Sequence, residues 1–379
     1  MRQDTLLAQA GARRDPATGA ISMPVYPSAA FQHPALGQST GFDYSRTSNP
    51  TRLALEETVA ALEKAAGASA FASGLAAIDA VMRLFRSGEV IVVSEDMYGG
   101  TIRLFEKFGK SAGLEFLYVD TSKADLVAEA LEKPGVRGLF VELPTNPMLR
   151  VADIAALGKL VHEKNILFVV DNTFLTAASC RPLDLGADIV LYSATKYLGG
   201  HNDLIAGIVA SRTPELCENV AFVQNAVGAI LGPFESWLLL RSLKTLSLRL
   251  SRHGENALKV AEFLQDHPRI RNLRYPGLPA DPGHAVLARQ AGTFGGVISF
   301  EVESREAVER ILASVRVFMF AESLGAAESL ITFPVAQTHA DMDAKTRERV
   351  GLTDSLIRLS IGLEDPDDLI ADLASALEA

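Results

Sequence analysis

The chain has 379 residues, of which 48% are hydrophobic and 22% charged, and its formal net charge is −10 at neutral pH. This acidic balance argues against the basic face that nucleic acid binding needs, and no run approaches the roughly 18 apolar residues of a membrane span. The two cysteines, Cys180 and Cys217, form neither a disulfide framework nor a metal-ligand pattern. With no signal-peptide pattern at the N-terminus, we expect a cytoplasmic protein without nucleic acid, membrane or metal partners.

Residues 1–50 are rich in Pro, Gly, Ser and Thr and show weak periodicity. Pro24, Pro27 and Pro34 prevent a continuous helix here. The segment still has apolar side chains to bury, namely Ile21, Val25, Tyr26 and Phe31. We therefore expect an arm that packs against another surface, such as a second subunit.

Short apolar runs alternate with helical patterns from Pro50 to about residue 210. The predicted strands are 68–72, 89–94, 114–119, 138–142, 166–170, 188–192 and 204–210. The predicted helices begin at Pro50 and then cover 75–85, 101–110, 123–132 and 153–164. This alternation is typical of βαβ units, so we predict an α/β fold with a large domain on a mainly parallel sheet.

A cluster of Gly228, Gly232 and Pro233 marks a predicted domain boundary. A helical region over 235–265, broken near Arg252, is expected to follow. Further strands (270–275, 297–302, 356–360) and helices (305–314, 366–377) then predict a smaller C-terminal α/β domain. The predicted units are an N-terminal arm (1–50), a large domain (51–232) and a smaller domain (233–379).

Residues that could bind a ligand follow several predicted strands of the large domain. In open α/β sheets, ligands bind beyond the carboxyl ends of the strands, so we expect these residues to meet. In chain order they are Ser73, Gly74, Leu75, Tyr98, Asn146, Asp171, Thr173, Ser193, Thr195 and Lys196. Each also has an ordinary alternative as a turn residue, a helix cap or a surface lysine.

Together these residues predict a site for pyridoxal 5′-phosphate (PLP). The PLP aldehyde condenses with a lysine amine, and Lys196 lies at a strand end. Asp171 can pair with the pyridine nitrogen, Tyr98 can stack on the ring and Asn146 can bond the ring hydroxyl. The expected phosphate ligands are the backbone and hydroxyl donors of Ser73, Gly74, Leu75, Ser193 and Thr195.

Motifs along nearly the whole chain resemble the Cys/Met-metabolism (transsulfuration) family of PLP-dependent enzymes. This family is a branch of the aspartate aminotransferase-like fold, also called fold type I. The matching segments are 44–46, 49–52, 73–74, 98–101, 144–147, 170–173, 193–201, 322–325 and 358–364. The chain departs from many relatives at Leu75, where they carry Met, and at Ala326, where they carry a second Gly.

The resemblance implies further site residues and an assembly. Tyr44 and Arg46 would reach the PLP phosphate of a neighbouring subunit, within a homotetramer of two dimers with shared active sites. Thr173 would belong to the cofactor site. Arg358 would anchor the carboxylate of a small amino-acid substrate, assisted by the backbone around Ser323. No catalytic role is expected for His201 or His339.

Two positions help to distinguish among the reactions that members of this family catalyse. Gly100 replaces a Cys that methionine-degrading lyases often carry, which argues against methionine γ-lyase activity. Glu322 is typical of γ-synthases and γ-lyases of cystathionine. Its carboxylate can hold the amino group of an incoming or leaving cysteine, and the alternative is a solvated charge at the rim of the site. Segments 41–44, 199–203 and 332–341 look most similar to the shorter bacterial cystathionine γ-synthases.

We therefore expect γ-replacement of an O-acylhomoserine by L-cysteine. Lys196 would move protons at Cα and the neighbouring carbon, and Tyr98 would assist. Cystathionine γ- or β-lyase activity and O-acetylhomoserine sulfhydrylase activity remain alternatives. A non-catalytic protein with this fold is a further alternative, disfavoured by the intact set of Lys196, Asp171 and Arg358.

Overall fold

The computed structural model describes residues 1–340, 342 and 344–379, and it contains two β-sheets with helices packed against them. The elements of its first part are α1 (Gln3–Ala8), α2 (Pro50–Glu63), β1 (Gly67–Phe71), α3 (Gly74–Met82), β2 (Val90–Ser94), α4 (Gly99–Leu104), β3 (Glu115–Val119), α5 (Ala124–Leu131), β4 (Val136–Glu142), α6 (Ile154–His162), β5 (Leu167–Asp171), α7 (Thr176–Ser179), β6 (Ile189–Ser193) and β7 (Gly207–Ser211). Those of its second part are α8 (Pro214–Val227), α9 (Pro233–Leu243), α10 (Leu246–Gln265), β8 (Arg271–Arg274), α11 (His284–Gln290), β9 (Val297–Glu301), α12 (Arg305–Ser314), β10 (Met319–Phe320), β11 (Leu330–Thr332), α13 (Ala344–Val350), β12 (Leu356–Ser360) and α14 (Pro366–Glu378). Asp341, which ends the predicted segment 332–341, lies outside the described residues.

The larger sheet has the strand order β1-β7-β6-β5-β4-β2-β3, and of these seven strands β7 alone runs against the others. Successive residues of a strand point to opposite faces. Val90 and Val92 accordingly join one buried cluster, and Ile91 and Val93 join another. Because both faces are buried, the strands are continuous apolar runs. The predicted α/β fold with a mainly parallel sheet is confirmed.

The parallel strands bring several loops to one edge of the larger sheet. At this edge Ser73 caps α3, and its hydroxyl accepts a hydrogen bond from the Ala76 amide at 3.1 Å. The chain from Ser193 to Gly207 also stays at this edge, because β7 pairs antiparallel with β6 and needs no crossover helix. The loops after β1, β2, β4, β5 and β6 therefore surround one region.

The smaller sheet has the order β10-β11-β12-β9-β8 and packs against α10, α12 and α14. Helix α10 belongs to both cores, since Leu246 and Leu250 pack with the larger sheet and Ala257 and Val260 with the smaller one. Helix α9, which begins at Pro233, packs with the larger sheet. The division of the chain at residue 232 stays a prediction.

The predicted break near Arg252 is wrong, because α10 is continuous there and the break lies between Leu243 and Leu246. The Arg249 guanidinium donates hydrogen bonds to the carbonyls of Ser242 at 3.0 Å and Tyr197 at 2.7 Å. Thr245 also donates to the Ser242 carbonyl, from its amide and its hydroxyl at 3.3 Å each, so this carbonyl at the helix end is well satisfied. No Gly or Pro marks the true break, so the local sequence does not reveal it.

The N-terminal segment has an anchored part and an exposed part. Leu7 and Met23 are buried in the core of the larger sheet, whereas Ile21 is 82% exposed. Phe31 and Phe42 pack on each other, with ring centroids 5.6 Å apart. The expected contact with a neighbouring subunit stays a prediction. Within the described residues, each helix is too short or too polar to cross a bilayer.

Candidate active site

A cavity of about 270 Å³ opens at the carboxyl edge of the larger sheet. Its walls come from the loops after five strands, as expected for an open α/β sheet. Among the sequence-predicted site residues, the lining contains Ser73, Gly74, Leu75, Tyr98, Asn146, Asp171, Thr173, Ser193, Thr195 and Lys196. The structure thus brings together residues that are up to about 120 positions apart in the chain.

Lys196 lies in this cavity, and its Nζ donates a hydrogen bond to Ser323 Oγ at 2.9 Å. Burial and the nearby charge of Arg358 lower the pKa of the Lys196 amine to about 8, although Glu322 opposes the shift. The amine therefore exchanges a proton close to neutral pH, as a general base requires.

Arg358 is 1% exposed, in the middle of β12. Its Nη1 donates to Asn146 Oδ1 at 2.7 Å, and its Nη2 donates to the Ser323 carbonyl at 2.9 Å. The Nε atom has no hydrogen-bond partner among the described residues. The guanidinium is thus fixed in orientation and keeps one buried donor free, which suits a carboxylate ligand. Burial lowers its pKa to about 10.

The N-terminus of α3 meets the end of β6 at very short range. A Cβ on Gly74 would lie 2.9 Å from the Ser193 Cβ, so only glycine fits without a shift. The first amides of a helix lack intrahelical acceptors and attract anions. The hydroxyl of Thr195 accepts from the Ala206 amide at 3.0 Å, which holds the loop after β6 in place.

Asp171 ends β5 and is 7% exposed. Its Oδ1 accepts hydrogen bonds from the amide of Thr173 at 3.0 Å and from its hydroxyl at 2.5 Å. Burial raises the pKa of Asp171 to about 6, although the Thr173 bonds favour ionisation. Asp171 has no basic partner among the described residues, so its carboxylate can pair with a cationic group of a ligand.

Tyr98 lies at the start of α4 and is 37% exposed. Its ring is packed so closely over the next turn that a Cβ on Gly100 would lie 2.4 Å from Tyr98 Cε1. Gly100 is also the position at which the family resemblance distinguishes this chain from methionine-degrading lyases. The structure adds that glycine leaves space for the aromatic ring.

Glu142 is a cavity residue that the sequence reasoning missed. It ends β4, and its Oε2 accepts a hydrogen bond from the Tyr98 amide at 3.0 Å. The sequence signal was available, because an acid ends the apolar run 139–142 just as Asp171 ends the run 167–171. Thr101 was also missed, and its buried hydroxyl faces the same cavity without a partner in the described part of the chain.

A wider cleft of about 910 Å³ adjoins the cavity and shares Thr195 and Ile205 with it. Glu322 and Ser323 line this cleft, and Glu322 is solvent-exposed. Tyr44 and Arg46 line neither space. Arg46 instead donates to the Asn225 carbonyl at 2.6 Å, and its guanidinium lies 5.4 Å from the Tyr44 ring centroid.

The two histidines considered in the sequence lie outside the cavity lining. His339 is buried, and its Nε2 is 3.2 Å from the carbonyl oxygens of Met97 and Asn146. Burial lowers its pKa to about 4, so the ring is neutral and connects two loops of the site. His201 Nδ1 lies 2.7 Å from the Gly199 carbonyl.

The lining of the cavity matches PLP in charge and in hydrogen-bonding groups. A phosphate dianion fits the free amides of α3, beside the close approach that excludes a side chain at Gly74. The buried Asp171 carboxylate matches a protonated pyridine nitrogen. A lysine amine of lowered pKa stands in the same space. This combination on a mainly parallel sheet defines a PLP-dependent enzyme of fold type I.

Comparison with known proteins agrees with this class. A sequence model described as "Cys/Met metabolism PLP-dependent enzyme" matches residues 4–378. The cystathionine gamma-lyase of Bacillus subtilis strain 168 is 46% identical over 378 residues, which cover 100% of both chains. The cystathionine gamma-synthase of Haemophilus influenzae is 45% identical over 98% of this chain and 97% of its own.

A solved structure is also similar to this chain. The cystathionine gamma synthase of Xanthomonas oryzae pv. oryzae, in complex with cystathionine, has a TM-score of 0.97 and 40% identity over 100% of this chain and 98% of its own. The chain belongs to the family of Cys/Met metabolism PLP-dependent enzymes, and PLP is its cofactor. The family resemblance and the cofactor predicted from the motifs are confirmed.

Proposed function

We propose that this enzyme is a cystathionine γ-synthase, which replaces the γ-acyloxy group of an O-acylhomoserine with the thiol of L-cysteine. The observation that carries the proposal is the cleft beside Lys196, whose wall includes the carboxylate of Glu322. A carboxylate at this point suits the amino group of an incoming cysteine. The Haemophilus influenzae and Xanthomonas oryzae relatives, which carry this name, support the proposal.

The proposed substrate contacts follow from the free donors of the site. Arg358 binds the α-carboxylate with its unpartnered Nε, while Asn146 and Ser323 hold the guanidinium plane. PLP, when bound, supplies an electron sink for negative charge at the substrate Cα. Lys196 takes the proton from Cα and moves protons at the neighbouring carbon, because its amine is a base near neutral pH.

The cofactor contacts are proposed from the same geometry. Asp171, oriented by Thr173, pairs with the ring nitrogen, and Tyr98 stacks on the ring and assists proton transfer. Asn146 uses its Oδ1 for Arg358, which leaves Nδ2 for the ring hydroxyl. The residues assigned to the phosphate are Ser73, Gly74, Leu75, Ser193 and Thr195.

The remaining phosphate contacts are proposed to come from a second subunit. Tyr44 and Arg46 lie outside the cavity of their own chain, and Tyr44 is 47% exposed. In a homotetramer of two dimers, they would complete the phosphate site of a neighbour. Sedimentation measurements test the assembly, and a monomer that retains full activity would contradict the shared site.

Cystathionine γ-lyase is the second candidate, because the Bacillus subtilis relative at 46% identity carries that name. Such an enzyme would bind the same carboxylate and use the same lysine, so the residues named above serve either reaction. A β-lyase and an O-acetylhomoserine sulfhydrylase are further outcomes of the same assay.

The experiment compares products from the purified, PLP-loaded enzyme. O-acetyl- or O-succinylhomoserine with L-cysteine should yield cystathionine. Cystathionine alone should release little 2-oxobutyrate, the γ-lyase product, or pyruvate, the β-lyase product. Rapid release of either ketoacid without synthesis would contradict the proposal, and homocysteine formed only from sulfide would indicate a sulfhydrylase. Lys196→Ala is the matched control and should lose the visible band of lysine-bound PLP together with all activities.

A further inference from the structure

Glu142 and Asp171 are two buried carboxyl groups placed side by side in the cavity. They are opposite each other in the parallel register of β4 and β5, and each is the last residue of its strand. Glu142 is 4% exposed and Asp171 is 7% exposed. Two buried carboxyl groups on neighbouring strands cannot both ionise at low cost, so the pair retains a proton near neutral pH.

The hydrogen bonds decide which carboxyl group keeps that proton. Asp171 accepts two bonds from Thr173, and both favour its ionised form. Glu142 interacts with backbone amides alone, those of Tyr98 at 3.0 Å and of Asn146, and its Oε1 has no hydrogen-bond partner among the described residues. The free oxygen of Glu142 is therefore the place for the proton.

The charges around Glu142 point the same way. Burial raises its pKa well above the ordinary value, and the neighbouring charges of Asp171 and Asp96 raise it further. The cation that faces it is Arg358, whose Nη atoms are already bonded to Asn146 and the Ser323 carbonyl. Tyr98 donates only its amide to Glu142. The site therefore favours a neutral Glu142.

We propose that Glu142 is a positioning residue of the PLP site, whose neutral carboxyl group leaves the negative charge on Asp171 and fixes the backbone of Tyr98. A charged Glu142 would compete with Asp171 for the protonated ring nitrogen. An unpartnered Tyr98 amide would free the ring that stacks on the cofactor. The inference rests on the proposed pairing of Asp171 with the pyridine nitrogen.

The test uses two substitutions that separate charge from hydrogen bonding. Glu142→Gln is permanently neutral and keeps an oxygen acceptor for the Tyr98 amide, whereas Glu142→Leu is neutral without an acceptor. The readouts are the dissociation constant of PLP from the apoenzyme and the pH midpoint of its visible band. Glu301→Gln is the matched control, because Glu301 is a buried glutamate that also ends a strand, β9 of the smaller sheet, and it does not line the cavity.

We expect Glu142→Gln to keep the wild-type pH midpoint and a PLP dissociation constant within about threefold of wild type. The reason is that a neutral amide replaces a neutral carboxyl group. Glu142→Leu should weaken PLP binding on the order of tenfold, because the Tyr98 amide loses its acceptor. Glu301→Gln should change neither readout. Circular dichroism checks that each variant is folded.

Two outcomes would overturn the proposal. If Glu142→Gln shifts the midpoint or weakens PLP binding as much as Glu142→Leu, the ionised carboxylate is the required form. If neither variant changes PLP binding, Glu142 does not position the site. Asp171→Asn separately tests the pairing of Asp171 with the pyridine nitrogen. An unchanged visible band in this variant would show that Asp171 does not pair with that nitrogen. All readouts are independent of which sulfur substrate the enzyme accepts.

Discussion

Lys196 donates a hydrogen bond to Ser323 Oγ at 2.9 Å, although the two residues are 127 positions apart and lie beside different sheets. Ser323 has φ of 148°, a conformation that L-residues rarely adopt. Its carbonyl also accepts from Arg358 at 2.9 Å. One strained residue therefore connects the proposed base to the proposed carboxylate anchor, and the smaller sheet completes a site begun by the larger one.

The first prediction concerns the guanidinium of Arg358. Arg358→Lys keeps the charge but loses the planar fork that binds Asn146, Ser323 and a carboxylate together. We expect KM for the amino-acid substrate to rise roughly 10- to 100-fold, with PLP still bound, since charge-assisted hydrogen bonds are lost. Steady-state kinetics and the visible band measure both effects. Arg289→Lys, at a surface ion pair with Asp153, is the control, and an unchanged KM in Arg358→Lys would refute the anchor.

The second prediction concerns the amine of Lys196. Only the neutral amine reacts with the PLP aldehyde, and the pKa is lowered to about 8 by burial and then by Arg358. The rate of PLP capture by the apoenzyme should therefore rise with pH through a midpoint near that value, well below the ~10.4 of an exposed lysine. Stopped-flow absorbance measures this rate. In Arg358→Leu the midpoint should move upward, and a wild-type midpoint at the ordinary lysine value would contradict the environment described.

The third prediction concerns the space beneath Tyr98. A Cβ on Gly100 would lie 2.4 Å from the Tyr98 ring, so Gly100→Ala must displace it. We expect PLP affinity to fall by about tenfold, because displacing a tightly packed side chain costs ~1–3 kcal/mol. Gly254→Ala is the control, because nothing lies within 4 Å of its added Cβ in α10 and alanine favours helix. That variant should gain ~0.5–1 kcal/mol of stability. Equal PLP affinities in both variants would show that the ring is free to move.

The fourth prediction concerns Glu63, which is fully buried at the end of α2. Neither carboxylate oxygen has a partner within the described residues, and burial raises the pKa to about 8 despite Arg181. An unfolded glutamate has a pKa of about 4.3, so the native state keeps a proton that the unfolded chain loses above this value. The contribution of Glu63 to stability therefore falls as pH rises between the two pKa values.

Glu63→Met should remove this dependence. The variant should be more stable than wild type near pH 8, by on the order of 5 kcal/mol from the pKa difference, and this advantage should shrink as the pH falls towards about 4.5. Denaturant unfolding across this pH range provides the measurement. Glu163→Met, at the exposed end of α6, is the matched control and should keep the wild-type slope. The same slope in Glu63→Met would mean that the buried carboxyl group has found a partner.

Much of the site was predictable, because its residues follow the ends of strands and each strand end can be recognised from neighbouring residues in the sequence. Asp171 and Tyr98 follow predicted strands closely, and parallel pairing brings such positions to one edge. Glu142 was missed although it carries the same signal, since it was counted as the end of a strand. The break before α10 was misplaced because no Gly or Pro marks it. It is held by Arg249, which binds the carbonyls of Ser242 and of the distant Tyr197.

The sequence by itself determined the α/β fold, the PLP chemistry and the family, because periodicity and short motifs depend on neighbouring residues. Only the tertiary structure decided the pKa values and the orientations of the reactive groups. The lowered pKa of Lys196 comes from burial and from Arg358, and the fixed orientation of Arg358 comes from Asn146 and Ser323. Desolvation and charge depend on distances in space, and these distances join residues that are far apart along the chain.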